Sequence, residues 1–177
     1  MSTRLLPLIA FIGLAALLLA GVLINSGKDN SAIPSPLIGK PAPQFSLPVL
    51  NQPKQIIKTD DLKGRAYLLN VWGSWCPACQ IEHPVITELA QSGKVRVIGY
   101  NYKDETAAAN NWLKQFGNPY DLILTDEAGR AALDWGIYGA PETFLIDAQG
   151  IVRWKHVGPI TPDIIQQEIL PLLESAQ

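Results

Sequence analysis

The N-terminal part of the chain contains its longest run of hydrophobic residues. Residues 5–24 read LLPLIAFIGLAALLLAGVLI and carry no charge. As a helix this segment is about 30 Å long, which matches the hydrocarbon thickness of a bilayer, so we predict an uncleaved transmembrane anchor. A cleaved signal peptide fits less well, because its apolar core is usually about 7–15 residues long and ends in a small-x-small cleavage site. A buried core helix also fits less well, since no polar residues mark an outer face.

The polar segments around the anchor define the domain organisation. Residues 1–4 contain Arg4, which favours a cytoplasmic N-terminus, although lysines after the anchor make this charge bias slight. Residues 25–36, NSGKDNSAIPSP, are rich in Ser, Asn and Pro and are typical of a linker. We predict one folded domain over residues 37–177.

Within this domain, short apolar runs alternate with amphipathic segments. The apolar runs predict strands at Tyr67–Trp72, Val95–Tyr100 and Leu122–Leu124, and a hairpin of Thr143–Ile146 with Ile151–His156. The amphipathic segments predict helices over Pro77–Gln91, from a cap at Asp104 to Gly117, around Arg130–Trp135, and after a cap at Thr161. Strands that alternate with helices and end in a hairpin and a helix indicate an α/β or α+β sandwich with a central sheet.

The composition limits the functions that this chain can have. Hydrophobic residues make up 47% of the chain and charged residues 17%, which favours a packed core over general disorder. The formal net charge is −2 and there is no basic stripe, so we predict no nucleic-acid partner. The chain has two cysteines three positions apart, which indicates either redox chemistry or half of a metal site.

The two cysteines, Cys76 and Cys79, lie where a buried strand is followed by a helix. Pro77 suits the first helical position, because its missing N–H would be unpaired there in any case. Free N–H groups and the helix dipole stabilise an anion at a helix start, which favours the thiolate of Cys76. We expect Trp75 to shield one side of the pair and to leave Cys76 as the exposed sulfur. The pattern therefore predicts that Cys76 is the nucleophile and that Cys79 is the resolving thiol.

Other interpretations of the cysteine pair carry less weight. A structural disulfide over so short a loop adds little stability through chain entropy. A structural zinc site needs four ligands, and the histidines available are His83, which we expect on the helix surface, and His156. Covalent haem attachment requires a histidine after the second cysteine, where this chain has Gln80.

Three segments together resemble a known family. Residues 69–79, LNVWGSWCPAC, resemble the thioredoxin superfamily. Residues 136–147, GIYGAPETFLID, and residues 37–45, LIGKPAPQF, narrow the resemblance to the DsbE/CcmG branch, the membrane-tethered periplasmic thioredoxins of cytochrome c maturation. The resemblance covers roughly residues 37–173. It implies a thioredoxin-like α/β sandwich, in which helices flank a central mixed β-sheet, joined to one N-terminal transmembrane helix.

The resemblance also implies roles for residues near the dithiol. Pro141 matches the cis-proline of the superfamily, which packs beside the cysteines; the alternative is an ordinary proline at a strand start. A cis-proline there leaves the backbone of Ala140 free to pair with an extended substrate. Trp75, Pro77 and Glu142 complete the implied substrate-binding surface.

Glu82 lies one helical turn beyond Cys79. Ordinary thioredoxins carry a buried Asp six residues before the first cysteine, and this chain has Asn70 there, which cannot titrate. The resemblance therefore assigns the proton transfer to Glu82, although a solvated helix acid is the alternative. Together with Glu142, this acid is expected to raise the pKa of Cys76 and to make the pair reducing rather than oxidising.

The function that the resemblance implies is dithiol–disulfide exchange without a cofactor. Its substrate is expected to be the Cys-x-x-Cys-His site of an apocytochrome c, or a thiol protein that handles this site before haem attachment. A reducing enzyme in the oxidising periplasm needs electrons, so a membrane reductant of the DsbD or CcdA type is implied. The expected location is the inner membrane, as a single-pass protein with a periplasmic domain. The alternatives are a general periplasmic reductase of the TlpA or ResA type and a copper or zinc chaperone.

Overall fold

The computed structural model describes residues 6–25 and 35–175, and the chain divides into two units, residues 1–33 and 34–177. In the first unit, α1 spans Leu6–Asn25, and those of its side chains that are described are exposed. Within the described parts of the chain, no helix combines the length and the hydrophobicity that a membrane crossing needs. The predicted N-terminus, residues 1–4, and residues 26–34 of the predicted linker lie outside the described residues.

The second unit is built on a seven-stranded mixed sheet with the strand order β2-β1-β5-β4-β3-β6-β7. The strands are β1 Ser46–Val49, β2 Gln52–Lys58, β3 Tyr67–Trp72, β4 Arg96–Tyr102, β5 Leu122–Asp126, β6 Glu142–Ile146 and β7 Val152–Val157. The central strands β3, β4 and β5 are parallel, whereas β6 is antiparallel to β3 and to β7, and β1 is antiparallel to β5 and to β2. This sheet confirms the predicted thioredoxin-like α/β fold.

The helices are α2 Pro77–Gln91, α3 Thr106–Phe116, α4 Ala131–Asp134, α5 Pro162–Ile164 and α6 Leu170–Ser175, with a 3-10 helix at Thr59–Leu62 and a π-helix at Ile165–Ile169. The predicted bounds of α2 are confirmed. The last helical segment begins as predicted, because the Thr161 hydroxyl oxygen accepts a hydrogen bond of 3.3 Å from the Ile164 N–H. Its π-helical middle part was not predicted.

Strand β3 separates two hydrophobic cores. Every residue of β3 is buried, as expected for a parallel strand covered on both faces. Leu68 and Trp72 belong to the core formed with α2, α3 and the last helical segment. Leu69 and Val71 belong to the opposite core, which includes Ala132 of α4. Because side chains alternate along a strand, Asn70 points to the same face as Leu68 and Trp72, the face covered by α2.

Two predictions about local structure were incomplete or wrong. The hairpin of β1 and β2 was not predicted, because β2 is an edge strand whose residues are mostly polar and exposed. Asp104 does not cap α3: the cap position is occupied by Glu105, which makes no side-chain capping bond. The carboxylate of Asp104 instead accepts hydrogen bonds from both the N–H and the hydroxyl of Ser74, two residues before the dithiol.

Candidate active site

The two cysteines form a disulfide at the start of α2. Cys76 is the N-cap residue, and its Sγ accepts a hydrogen bond of 3.1 Å from the Cys79 N–H. Pro77 occupies the first turn, as predicted. This arrangement directs a free helical N–H at the sulfur of Cys76, which is the geometry that stabilises a thiolate.

The disulfide is more deeply covered than the sequence indicated. Cys76 is 3% exposed and Cys79 is 2% exposed, so the expected difference between an exposed and a shielded sulfur is absent in the oxidised protein. Trp75 is 48% exposed. Its indole Nε1–H donates a hydrogen bond of 3.1 Å to the Tyr102 carbonyl. A role of Trp75 in substrate binding stays a prediction.

The segment before Cys76 is held by the connection that follows β4. The Asp104 carboxylate lies 2.6 Å from the Ser74 nitrogen and 2.7 Å from its hydroxyl oxygen. The same carboxylate accepts hydrogen bonds from the Asn101 amide group and the Glu105 N–H. Because Asp104 is buried, these bonds are protected from water and fix the direction in which the chain enters the dithiol.

Pro141 stands at the end of the loop that leads into β6. The Ala140–Pro141 peptide bond is cis, as the resemblance implied. Ala140 is half-buried and packs against both cores, one of which contains the two cysteines. Glu142, the residue after Pro141, is in register with Val71 of β3, the strand that leads to the dithiol. The sheet thus places the cis-proline beside the segment that carries Cys76.

Glu82 is buried on the α2 face that packs against the sheet, with 2% of its surface exposed. Its Oε1 accepts a hydrogen bond of 2.8 Å from the Asn70 amide group, and its Oε2 accepts one of 2.8 Å from the Ile160 N–H. Burial raises the pKa of Glu82 from 4.5 to about 7, and the two hydrogen bonds oppose this rise. Glu82 and Cys79 are three residues apart on one helix, a spacing that places them on the same side. The alternative of a solvated helix acid is therefore wrong.

Glu82 is the end of a buried polar network that the sequence did not reveal. The Asn70 amide group also donates to the Thr143 hydroxyl at 3.0 Å, and the Tyr120 hydroxyl donates to the Asn70 amide oxygen at 2.9 Å. The Tyr120 ring stacks on Trp72 with 5.6 Å between the ring centroids. No local pattern marks Tyr120 as a partner of Asn70, because the two residues are 50 positions apart.

His83 was expected on the helix surface, and this prediction is wrong. The residue is 5% exposed, because α3 covers this side of α2. Its Nε2 lies 3.1 Å from the Phe116 carbonyl oxygen, which can only accept a hydrogen bond, so this nitrogen carries the proton. The imidazole ring packs edge to face on Trp112, with 4.5 Å between the ring centroids. Burial lowers the pKa of His83. Its Nε2 is therefore engaged by the protein backbone and is not free to bind a metal.

Glu142 is also buried, and it is paired with a lysine. Its Oε2 lies 2.8 Å from Lys155 Nζ, in an ion pair whose geometry is not that of a hydrogen bond. Its Oε1 accepts hydrogen bonds from the N–H groups of Tyr138 and Gly139. The expectation of a second unbalanced carboxylate near Cys76 is thus corrected, because Lys155 compensates the charge of Glu142. A direct contact of Glu142 with substrate stays a prediction.

The other side chains that could bind a metal ion are not grouped together in the described parts of the chain. Among residues 6–25 and 35–175, no three His, Cys, Asp or Glu side chains are grouped so that they could hold a metal ion. The chemistry that the described site supports is thiol exchange at Cys76 and Cys79, with a titratable carboxylic acid, Glu82, one helical turn below them.

The chain is similar to known thiol:disulfide interchange proteins. The redoxin family matches residues 37–169. The thiol:disulfide interchange protein DsbE of Xylella fastidiosa strain 9a5c is 54% identical over 145 residues, which cover 82% of this chain and 74% of the relative. The DsbE protein of Escherichia coli K12 is 48% identical over 172 residues, or 96% of this chain and 92% of the relative. A crystal structure of a putative DsbE from Chlorobium tepidum covers 77% of this chain and 97% of its own, with a TM-score of 0.66 and 30% identity.

Proposed function

This chain belongs to the DsbE family of thiol:disulfide interchange proteins, and we propose that it reduces the Cys-x-x-Cys-His disulfide of an apocytochrome c, or of a thiol protein that handles it, before haem attachment. Thiol–disulfide exchange is the activity of the family. The direction of exchange, the substrate and the location at the membrane are the proposal. The observation that carries it is the buried acid Glu82, one helical turn after Cys79 on α2.

The proposed reaction begins with the reduced protein. The Cys76 thiolate attacks one sulfur of the substrate disulfide, and the other substrate sulfur leaves as a thiolate that takes up a proton. Cys79 then loses its proton to Glu82 and attacks Cys76 Sγ, which releases the second substrate thiolate and forms the Cys76–Cys79 disulfide. The substrate gains two electrons and the protein loses two. A carboxylate with a pKa of about 7 suits this proton transfer, because it changes its charge near neutral pH.

The same acid supports the reducing direction. When Glu82 is ionised, its negative charge disfavours a thiolate nearby and raises the pKa of the thiols. A dithiol whose thiolate is poorly stabilised gives up its electrons more readily, so the couple becomes more reducing. A thiolate absorbance titration of the reduced protein tests this step. A strongly acidic Cys76 would contradict it.

The membrane location is proposed from the sequence. Residues 5–24 carry no charge and have the length of a bilayer-spanning helix, and residues 25–36 have the composition of a linker. A single anchor of this kind would hold the domain on the periplasmic side of the inner membrane. Electrons would then reach Cys76 and Cys79 from a membrane reductant of the DsbD or CcdA type, since the periplasm itself is oxidising.

Trapping of mixed disulfides tests the substrate. In a Cys79→Ser variant the second step is blocked, so substrates stay bound to Cys76 and can be identified by mass spectrometry. We expect proteins that carry the Cys-x-x-Cys-His motif or that act on it. The matched control is Cys76→Ser/Cys79→Ser, which should trap nothing. Recovery of many unrelated periplasmic proteins would favour a general reductase instead.

A further inference from the structure

Lys155 is a half-buried lysine of β7 at the centre of a small polar cluster. Its side chain is 10% exposed, and its Nζ lies 2.8 Å from Glu142 Oε2 and 2.9 Å from the Gly136 carbonyl oxygen. The ammonium group also lies over the rings of Phe144, at 4.9 Å, and of Tyr138, at 5.5 Å. A lysine so covered needs partners, and here two oxygens and two aromatic faces surround it.

These contacts converge on residues 136–140, the loop that ends at the cis-proline and that we call the cis-proline loop. Lys155 holds the beginning of this loop through the Gly136 carbonyl. Glu142, which Lys155 orients, holds the N–H groups of Tyr138 and Gly139 at 3.1 and 3.3 Å. Three backbone groups of the loop are therefore fixed by one ion pair.

The position of Ala140 depends on this loop. During the proposed exchange we expect the backbone of Ala140 to pair with an extended substrate segment next to Cys76, and hydrogen bonds of this kind tolerate little displacement. Stability alone does not account for the ion pair, since a well-packed hydrophobic pair often stabilises a protein equally well. An ammonium group that bonds both a carbonyl and a carboxylate adds direction, which a hydrophobic pair does not supply.

We propose that Lys155 is a positioning residue for disulfide exchange: with Glu142 it fixes the cis-proline loop in the geometry that aligns a peptide substrate with Cys76. The inference rests on the proposed docking of substrate at Ala140. It assigns Lys155 no contact with the reacting sulfurs. Its loss should therefore affect peptide disulfides and leave small disulfides, which have no backbone to dock, unaffected.

Two disulfide substrates, each offered to the reduced protein, distinguish substrate docking from the exchange chemistry itself. The first is a synthetic decapeptide with a Cys-x-x-Cys-His disulfide, and the second is 2-hydroxyethyl disulfide. For Lys155→Met we expect the second-order rate constant to fall at least about tenfold with the peptide and less than about twofold with the small disulfide. Lys155→Arg, which retains the charge, should recover most of the peptide rate. Lys63→Met is the matched control, because Lys63 lies on the surface in an exposed ion pair with Asp60.

A second variant keeps the inference testable if Lys155→Met does not fold. Lys155→Met leaves the carboxylate of Glu142 buried without its cation, whereas Lys155→Gln keeps a side chain that can donate a hydrogen bond but has no ammonium group to hold both Glu142 and the Gly136 carbonyl, and it should show the same selective loss. Equal losses with the two disulfides, or no loss with the peptide, would overturn the role of Lys155.

Hydrogen exchange in the mixed disulfide separates this inference from the docking on which it rests. In the complex of Cys79→Ser with the peptide, the Ala140 amide should be protected, and Lys155→Met should remove the protection. Protection that persists in Lys155→Met overturns the role of Lys155 alone. An unprotected Ala140 in the parent complex overturns docking itself, and the role of Lys155 falls with it.

Discussion

The amide nitrogen of Asn70 lies 2.8 Å from Oε1 of Glu82, across the contact between β3 and α2. This hydrogen bond joins the strand that precedes the dithiol to the helix that follows it. Asn70 is a neutral amide at the position where an ordinary thioredoxin has a buried acid. The titratable group near the dithiol, Glu82, therefore lies on the helix rather than on the strand. The consequences can be measured as changes in stability and in rate.

Glu82→Gln should change how stability depends on pH. Burial raises the pKa of Glu82 from 4.5 to about 7, so between these values the folded protein keeps a proton that the unfolded chain releases. The resulting stabilisation is present below pH 4.5 and is lost as the pH rises through 7. The free energy of unfolding of the variant, relative to the parent, should therefore rise by about 3 kcal/mol between pH 4 and pH 8.

Urea denaturation of the oxidised proteins measures this difference without titration of the cysteines. Glu88→Gln is the matched control, because Glu88 is an exposed acid on the same helix. Its difference from the parent should be nearly independent of pH. If the free energies of unfolding of the parent and of Glu82→Gln changed in parallel with pH, Glu82 would not titrate in this range.

Two tyrosines offer a matched test of the network. Tyr120→Phe removes the donor to the Asn70 amide oxygen and leaves that oxygen buried and unpaired, which should cost about 1–3 kcal/mol. The hydroxyl of Tyr67 is buried and has no hydrogen-bond partner among the described residues. Tyr67→Phe should therefore be neutral or stabilising. Equal effects in the two variants, measured by chemical denaturation, would contradict the assignment of the Tyr120 bond.

Much of the fold could be predicted from the sequence where a single element carries its own signal. The run at Tyr67–Trp72 is apolar except for Asn70, because β3 is covered on both faces, and its bounds were predicted correctly. Pro77 after Cys76 indicated the start of α2 in the same way. The signal for each of these two elements lies within its own residues and does not depend on a partner element.

Features that depend on neighbours could not be predicted. Strand β2 is polar and exposed, and only its pairing with β1 makes it a strand. His83 looked like a surface residue because the aromatic side chains of α3 that cover it lie about 30 positions away. The ion pair of Glu142 and Lys155 depends on the register of the β6–β7 hairpin. The sequence indicated that Glu82 and Glu142 lie near the dithiol. It did not indicate that a lysine compensates the charge of Glu142.

Asp104→Ala should destabilise the protein through the segment before the dithiol. The carboxylate accepts four hydrogen bonds, two of them from Ser74, and its removal leaves these donors without their partner. We expect a cost of about 3 kcal/mol in the free energy of unfolding. Asp121→Ala is the control: its side chain is 54% exposed and pairs with Arg96 at 3.3 Å, so the cost should stay below about 1 kcal/mol. Similar costs for the two variants would mean that the Ser74 bonds contribute little.

Glu82→Gln should also change the pH dependence of exchange. In the proposed mechanism, the Glu82 carboxylate takes the proton of Cys79 when the mixed disulfide is resolved. The ionised form predominates above the pKa of about 7, so the resolution rate of the parent should rise as the pH passes through this value. The Gln side chain cannot take a proton, so the variant should lose this rise and resolve more slowly, by about 10²-fold or more at pH 8.

Stopped-flow tryptophan fluorescence can follow this step, because Trp75 lies next to Cys76. Glu88→Gln again serves as the control and should retain the rise with pH. A rise that persists in Glu82→Gln would assign the proton transfer to another group. A lost rise in Glu82→Gln, together with a rate of first attack on 2-hydroxyethyl disulfide that changes much less than the resolution rate, would locate the effect at the proton of Cys79.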